Sequence, residues 1–375
     1  MKKVLLVQPN YRVKRKAGVS MIHPPMGLAY IAAVLEKNGI PVKILDANAL
    51  NLSASQVVKE VLDWGADVVG VSILTPAHNF AVEVARHLPP SVISIAGGAH
   101  ATAIPETMIK QGFTAAARGE GEEISLDLAL GKNLAEILGI SFKQGDGIKH
   151  NLNRGPLDPN NLPLPARHLL INNGVNKPYF SGVTQEFPWA VITSSRGCPY
   201  DCYYCNKLTF GRKIRYRSPE NFMQEVDFLV EKYKIKEIDF ADDCFNFDIA
   251  RAKKIFDLIA SRPYKIHLRF SNGIRADKID EEFLEKAKKA GCNYIAIGVE
   301  SGSQEILNRI PKGETLEDIR KAAKMIKKAK IPITGFFMIG LIGDTKETMQ
   351  QTIDFAKELD LDIAQFNIAI PNPGT

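Results

Sequence analysis

The sequence lacks a long hydrophobic run and a strong excess of either charge. Its 375 residues contain no stretch that approaches about eighteen consecutive apolar residues, which is near the length that a membrane-spanning helix needs. With 48 basic and 42 acidic residues, the net charge of +6 is too small to indicate nucleic acid or an anionic membrane as the main partner. The first residues, MKKVLLVQPNY, pass directly into a strand pattern with no small-residue cleavage site. We therefore expect a soluble, cytoplasmic protein without a transmembrane segment.

Cysteine is absent from the first 197 residues. The five cysteines of the chain are too few for the disulfide framework of a secreted protein. Cys198, Cys202 and Cys205 lie close together, whereas Cys244 and Cys292 are isolated. This uneven distribution predicts a reducing compartment and a single thiolate site.

Two common nucleotide-binding motifs are also missing. The sequence contains neither G-x-G-x-x-G nor G-x-x-x-x-G-K-[ST], which argues against a dinucleotide or a nucleoside triphosphate. Residues 1–138 instead alternate apolar strands with spacers of helix length. That pattern predicts a Rossmann-like (flavodoxin-like) doubly wound parallel sheet. Its predicted strands are residues 4–7, 42–45, 68–72, 92–96 and 115–118, and the helix before the last strand is predicted from Thr102 to Gln111.

Ligands of such sheets bind beyond the carboxyl ends of the strands, so the residues after each strand are the informative ones. Gly97 and Gly98 have no Cβ and would let a bulky ligand approach the backbone amides. The hydroxyls of Ser72 and Thr102 could donate to a polar edge of that ligand. The alternative is that the two glycines serve only a tight turn between strand and helix.

The second half of the chain follows a linker over residues 139–187, where proline-punctuated sequence interrupts the alternation and Gly145-Asp146-Gly147 predicts a hairpin turn. From residue 188 the strand–helix rhythm resumes and predicts a partial (β/α)6 TIM-like barrel over 188–375. The chain ends just past the sixth predicted strand, so we expect it to be a C-terminally truncated piece. The predicted strands of the barrel are residues 190–193, 237–240, 266–270, 294–299, 333–339 and 363–370.

The three clustered cysteines follow the first barrel strand with the spacing C-x3-C-x2-C. A structural zinc site needs four ligands, and no fourth Cys or His lies nearby in the sequence. A [4Fe–4S] cluster held by three cysteines leaves one iron open to an external ligand. The spacing therefore favours a cluster, with zinc as the alternative.

This cysteine motif with an aromatic residue before the third cysteine resembles the radical S-adenosylmethionine (SAM) superfamily. The resemblance implies that Cys198, Cys202 and Cys205 hold a [4Fe–4S] cluster and that the cluster cleaves SAM reductively to a 5′-deoxyadenosyl radical. It places Tyr204 near the adenine, Asp242 and Asp243 near the methionine amine, and Glu300 near the ribose hydroxyls. The full set of SAM-binding residues that it implies is Tyr204, Asp242, Asp243, Ser271, Arg275 and Glu300.

Taken together, the two halves resemble cobalamin-binding radical SAM enzymes over essentially the whole chain. The N-terminal motifs are Pro24–Leu28, Ser72-x-Leu74, Gly97-Gly98-x-His100-x-Thr102 and Gly119-Glu120-Gly121-Glu122. The resemblance implies a cobalamin site at Ser72, Leu74, Gly97, Gly98, His100, Thr102, Gly119 and Glu120. The Asp-x-His-x-x-Gly motif of other cobalamin domains is absent. We therefore expect no protein histidine on cobalt, with His23 in a loop and His100 at the corrin edge.

The function that the resemblance implies is methylation of an unactivated carbon by a cobalamin-dependent radical SAM enzyme. The alternative is a ring-forming cyclase or a rearrangement enzyme acting on a large apolar or tetrapyrrole substrate. The cysteines argue against a third possibility, a cobalamin sensor without catalysis. Expected partners are a small-molecule, lipid or peptide substrate and a reductase, flavodoxin or ferredoxin as electron donor, without nucleic acid. No catalytic side chain is assigned, and the role of Cys244 stays open.

Overall fold

The computed structural model describes residues 2–11 and 21–375 and divides into two compact units. The first unit comprises Met1–Gly182 with Asn206–Gly211 and Asn372–Gly374, and the second comprises Val183–Cys205, Arg212–Pro371 and Thr375. Within the described ranges, no helix combines the length and the apolar character that crossing a membrane would require.

The first unit contains a seven-stranded sheet whose first five strands are parallel. Its strand order is β2-β1-β3-β4-β5-β6-β7. Buried apolar clusters cover both faces of the sheet, which explains why its strands are nearly continuous hydrophobic runs. The fold class predicted for this half is confirmed. The strands are β1 (Val4–Gln8), β2 (Val42–Asp46), β3 (Val68–Ser72), β4 (Ile93–Gly97), β5 (Ala115–Ala117), β6 (Ile140–Gln144) and β7 (Gly147–His150).

The helices of this unit are α1 (Met26–Lys37), α2 (Ala47–Leu50), α3 (Ala54–Trp64), α4 (His78–His87), α5 (Gly98–Ala103), α6 (Pro105–Lys110) and α7 (Glu122–Ala129). Ser53 caps α3 through a reciprocal capping box with Gln56. The helix that the sequence predicts from Thr102 to Gln111 begins earlier, at Gly98, and is broken into α5 and α6. Proline is favoured in the first turn of a helix and disfavoured in its interior, so Pro105 starts a new helix.

The start of the predicted linker belongs to the first sheet. Residues 140–150 form the antiparallel hairpin β6–β7, and β6 pairs antiparallel with β5. The turn is at Gly145–Gly147, as the glycine pattern predicts, and Gly145 has a φ of +60°. The hairpin therefore extends the parallel sheet by two strands.

The second unit is built on six parallel strands in the order β15-β14-β13-β12-β11-β8. Sequential strands are neighbours and are joined by helical segments, as predicted for a partial barrel. A short antiparallel pair, β9 (Ser195–Arg196) with β10 (Arg215–Tyr216), flanks the cysteine segment. The remaining strands are β8 (Trp189–Ile192), β11 (Glu237–Phe240), β12 (His267–Ile274), β13 (Cys292–Glu300), β14 (Ile333–Ile339) and β15 (Ile363–Ile368). The helices are α8 (Pro219–Tyr233), α9 (Ile249–Ala260), α10 (Glu281–Lys289), α11 (Gln304–Arg309), α12 (Leu316–Lys328) and α13 (Lys346–Leu359).

Candidate functional site

The polar residues of the second unit gather at the carboxyl ends of its parallel strands. Asp242 and Asp243 follow β11, Ser271 lies near the end of β12, and Glu300 ends β13. Because neighbouring parallel strands end at the same edge of a sheet, these side chains share one rim with the cysteine segment that follows β8.

The cysteine segment presents its three thiols at different depths. Cys198 and Cys202 are half-buried and Cys205 is exposed, and none of the five cysteines of the chain is disulfide-bonded. Across the part of the chain that the structure describes, no group of three or more His, Cys, Asp or Glu side chains could hold a single metal ion. A [4Fe–4S] cluster binds each thiol at a different iron, so its ligands need not meet at one point as those of zinc must. The donor set therefore fits a cluster.

The Asp242 carboxylate, which was predicted to contact SAM, is hydrogen-bonded within the protein instead. Asp242 is 2% exposed and accepts hydrogen bonds from the Ser194 amide (3.0 Å), the Ser194 hydroxyl (2.7 Å) and the Ser195 hydroxyl (2.5 Å). Its neighbour Asp243 accepts a hydrogen bond from the Gly197 amide at 3.0 Å and remains exposed. Both carboxylates thus fix the backbone that leads into Cys198, and Asp242 is fully used in doing so.

Tyr204 and Glu300, both predicted to contact SAM, are brought together. The Tyr204 hydroxyl is hydrogen-bonded to the Glu300 carboxylate and to Cys202, and burial raises the pKa of Tyr204 well above its usual value. Glu300 is 8% exposed and has a φ of +64°, which is rare for a residue with a side chain. The end of β13 thus holds a strained backbone that turns Glu300 toward the cysteine segment.

Lys312 and Glu314 belong to the same network and were missed by the sequence analysis. The Lys312 ammonium lies 3.0 Å from Glu300 and 2.9 Å from Glu314, and it also donates to the Gly298 carbonyl. Burial opposes its charge, but the two carboxylates raise the pKa of Lys312 above its ordinary value. A Cβ at Gly298 would lie 2.7 Å from this ammonium, so a larger residue there would force the lysine side chain to shift. No local pattern reveals this contact, because a lysine between proline and glycine resembles an ordinary loop residue.

Arg275 and Ser271 are held by protein partners. The Arg275 guanidinium lies 3.5 Å from the ring centroid of Tyr200 and is paired with Asp277 at 2.7 Å and Glu314 at 3.7 Å. The Ser271 hydroxyl donates to the Asp239 carboxylate at 2.5 Å. Arg275 is therefore committed to the rim network, while the Ser271 oxygen keeps its lone pairs for a ligand that donates a hydrogen bond.

The two isolated cysteines differ in their surroundings. Cys244 is 3% exposed, and its thiol is hydrogen-bonded to that of Cys198, which together with burial raises the pKa of Cys244. Cys292 is 5% exposed in the core, where its thiol donates to the Tyr294 carbonyl at 3.8 Å. Cys244 thus belongs to the surroundings of the candidate cluster and Cys292 does not.

In the first unit, the predicted cobalamin residues also follow strand ends. Leu74 is 47% exposed just after β3, and Ser72 at the end of that strand is half-buried. A Cβ built at Gly97 would meet nothing closer than the Val71 carbonyl at 3.8 Å, so the space beside Gly97 is open to a ligand. A Cβ at Gly98 would instead lie 2.9 Å from the Ile73 amide nitrogen, and Gly98 has a φ of +86°. Glycine is therefore required where the start of α5 packs on the backbone that follows β3.

The other predicted cobalamin residues are tied to neighbouring segments. His100 is 5% exposed, and its Nδ1 lies 3.1 Å from the Thr75 hydroxyl and its Nε2 2.8 Å from His78 Nδ1. Burial, with a smaller effect of His78, lowers the pKa of His100 below its usual value. The Thr102 hydroxyl donates to the Gly98 carbonyl at 2.9 Å and accepts from the Gly119 amide at 3.2 Å. The Glu120 carboxylate accepts from the Leu157 amide at 3.0 Å.

Comparison with known proteins gives these two sites a family. The profile of the radical SAM superfamily matches residues 192–356, and that of the B12 binding domain matches residues 15–129. An uncharacterized methyltransferase of Pyrococcus horikoshii is 35% identical over 385 residues, covering 100% of this chain and 82% of the relative. The chain belongs to the radical SAM superfamily. As a superfamily member with a B12 binding domain, it is an enzyme whose family uses a [4Fe–4S] cluster, SAM and cobalamin, as predicted.

Other relatives differ in their named reactions. The cytidylyl-2-hydroxyethylphosphonate methyltransferase of Streptomyces wedmorensis is 29% identical over 435 residues, covering 100% of this chain and 80% of the relative. The anaerobic magnesium-protoporphyrin IX monomethyl ester cyclase of Rubrivivax gelatinosus is 25% identical and covers 99% of this chain and 68% of the relative. Methyltransferases and a cyclase thus share this architecture.

Two solved structures have the same fold as this chain. The methyltransferase TsrM from Kitasatospora setae, with cobalamin and a [4Fe–4S] cluster bound, has a TM-score of 0.78 at 20% identity over 98% of this chain and 72% of its own. The cobalamin-dependent enzyme OxsB has a TM-score of 0.77 at 22% identity and covers 98% of this chain and 53% of its own. At these identities the likeness shows the fold alone.

Proposed function

We propose that this enzyme transfers a methyl group to an unactivated carbon of a small-molecule, lipid or peptide substrate. The observation that carries the proposal is the C-x3-C-x2-C segment at the strand ends of one unit, combined with an open strand-end surface at Ser72, Leu74 and Gly97 in the other. When bound, the cluster would supply an electron for SAM cleavage, and cobalamin would supply a carrier for the methyl group.

The residues of the second unit have distinct tasks in this proposal. Cys198, Cys202 and Cys205 hold the cluster, while Asp242 and Asp243 fix the backbone before the first of them. Burial raises the pKa of the Cys202 thiol, and the positive charge of Lys312 opposes that rise. The lysine therefore favours the thiolate that a metal ligand must be.

The SAM contacts are assigned to groups that still have hydrogen-bonding capacity at the rim. Ser271 accepts from a ligand because its own proton is donated to Asp239. Tyr204 lines the site beside Cys202 and Glu300. Glu300 is held by Lys312 and offers its carboxylate to the ribose hydroxyls. Asp242 and Arg275 are assigned as positioning residues because protein partners occupy their charged groups.

The cobalamin contacts are assigned to residues 1–138, because every candidate residue of that site precedes position 139. Residues 139–187 support and connect this domain, and residues 188–375 carry the radical chemistry.

The electron donor is proposed to be a flavodoxin, a ferredoxin or a reductase. A cytoplasmic location is supported by five cysteines that form no disulfide.

The test is an anaerobic assay of the reconstituted enzyme with trideuteromethyl-labelled SAM and candidate lipid, peptide and tetrapyrrole substrates. A methyltransferase forms 5′-deoxyadenosine and S-adenosylhomocysteine, and its product gains the mass of one labelled methyl group. A cyclase forms 5′-deoxyadenosine and an unlabelled product that has lost hydrogen. The unlabelled product would contradict methyl transfer and support ring closure.

A further inference from the structure

Cys244 is a buried thiol beside a proposed cluster ligand, and the proposed function gives it no task. It is 3% exposed, and its thiol is hydrogen-bonded to the thiol of Cys198. Cys198 is the first cysteine of the C-x3-C-x2-C segment, whereas Cys244 lies in the loop that follows β11. The contact therefore comes from the fold of the second unit and not from the spacing of the motif.

The segments that carry the two thiols are tied together just before each cysteine. The residue before Cys198 is Gly197, and its amide donates to the Asp243 carboxylate at 3.0 Å. Asp243 is in turn the residue before Cys244. This hydrogen bond fixes the two backbones relative to each other at the positions next to the thiols.

The residues that follow Cys244 are anchored as well. Phe245 is 1% exposed and packs against Phe240, with the two ring centroids 4.7 Å apart. The Asn246 side chain forms two hydrogen bonds with the backbone of Arg275. Its Nδ2 donates to the carbonyl at 2.9 Å, and its Oδ1 accepts from the amide at 3.0 Å. The backbone is therefore held on both sides of the Cys244 thiol.

Iron binding at Cys198 sets the direction of the hydrogen bond between the two sulfurs. A cysteine that binds a metal does so as a thiolate, which has no proton to donate. With Cys198 as an iron ligand, the proton in the hydrogen bond is that of Cys244, and the Cys198 sulfur accepts. Hydrogen bonds to the ligand sulfurs are among the factors that set the reduction potential of an iron–sulfur cluster.

We propose that Cys244 raises the reduction potential of the cluster by donating a hydrogen bond to the Cys198 sulfur. Reduction adds one negative charge to the cluster, so a donor at a ligand sulfur stabilises the reduced form more than the oxidised form. Cys244 acts through Cys198 and is therefore a positioning residue, not a cluster ligand. This inference rests on the proposed cluster and gives a task to Cys244, whose role the sequence leaves open.

The test is a redox titration of the anaerobically reconstituted full chain without SAM, in which electron paramagnetic resonance measures the reduced cluster at each potential. In Cys244→Ala, the ratio of reduced to oxidised cluster at a fixed potential should fall about threefold to tenfold, as the loss of one hydrogen bond implies. A tenfold fall corresponds to about 59 mV for a one-electron step. Cys244→Ser keeps a hydrogen-bond donor and should recover most of this difference.

The matched control is Cys292→Ala. Cys292 is also a buried cysteine of the second unit, but its thiol donates to the Tyr294 carbonyl and not to a cluster ligand. The cluster of this variant should have the same reduction potential as the cluster of wild type.

Iron content is measured on every sample so that two failures can be told apart. A wild-type chain that binds no cluster would overturn both this inference and the proposed function. A cluster whose potential is unchanged or higher in Cys244→Ala, or a Cys244→Ser variant with the potential of Cys244→Ala, would overturn the inference alone. Loss of iron from Cys244→Ala but not from Cys292→Ala would also overturn it, because Cys244 would then be needed to hold the cluster.

Discussion

Replacing Lys312 with methionine would remove the cation that two buried carboxylates share. The side chains of Lys312 and Glu300 are 11% exposed and that of Glu314 is 1% exposed, so water screens this network little. Removing one partner from a buried ion pair costs about 3–5 kcal/mol of unfolding free energy, because a buried charge is left uncompensated. Arg275 stays 3.7 Å from Glu314 and compensates part of that charge. We therefore expect the lower end, about 3 kcal/mol.

The assay is thermal unfolding followed by circular dichroism. For a unit of roughly 150–250 residues, each kcal/mol shifts the melting temperature by about 2–4 °C, so Lys312→Met should melt about 6–12 °C below wild type. Adding Glu314→Gln should recover much of this loss, because it removes the buried charge that Lys312 neutralised.

The matched control is Lys328→Met. Lys328 pairs with Glu281 at 2.8 Å, but these side chains are 76% and 74% exposed, and such pairs contribute little to stability. Two results would refute this account of the network. One is a Lys312→Met variant with the same melting temperature as Lys328→Met. The other is a double variant, Lys312→Met with Glu314→Gln, that melts no higher than Lys312→Met alone.

Two further variants test the anchoring of each site. Gly97→Leu should fold normally, because its Cβ would meet only the Val71 carbonyl at 3.8 Å, but it should bind less cobalamin while keeping its iron. Unchanged cobalt content would show that no ligand approaches Gly97. Asp242→Ala should lose stability and also iron content, because three buried donors lose their acceptor and each buried polar group left unsatisfied costs about 1–3 kcal/mol. Full iron content in this variant would show that Asp242 does not position the cysteine segment.

Much of the fold could be predicted because its strands are buried on both faces. The runs at residues 4–7 and 68–71 contain no polar side chain and lie in β1 and β3, two interior strands of the first sheet. The position of the candidate sites followed from the same pattern, since parallel strands bring residues after each strand to one edge. The start of α5 at Gly98 was missed because glycine is usually a poor helix residue and the need for it is a close contact with Ile73.

Side-chain partners could not be predicted in the same way. Lys312 and Glu300 are separated by α11, and their contact depends on how the chain returns to the rim. His78 and His100 are 22 residues apart and meet only because β3 and β4 are adjacent. From the sequence, the Asp242 carboxylate was expected to bind SAM. Its burial and its hydrogen bonds from Ser194 and Ser195 show that protein groups occupy it. Such contacts are properties of the packed structure.

The central claim is that one chain holds a [4Fe–4S] cluster through three cysteines and cobalamin through a separate domain. The most direct test is the iron and cobalt content of anaerobically reconstituted wild type and of the triple variant with alanine at Cys198, Cys202 and Cys205. Wild type should contain about four irons and about one cobalt per chain, as one cluster and one cofactor require. The triple variant should lose the iron and keep the cobalt, and Cys292→Ala should keep both. About four irons retained in the triple variant would contradict the claim.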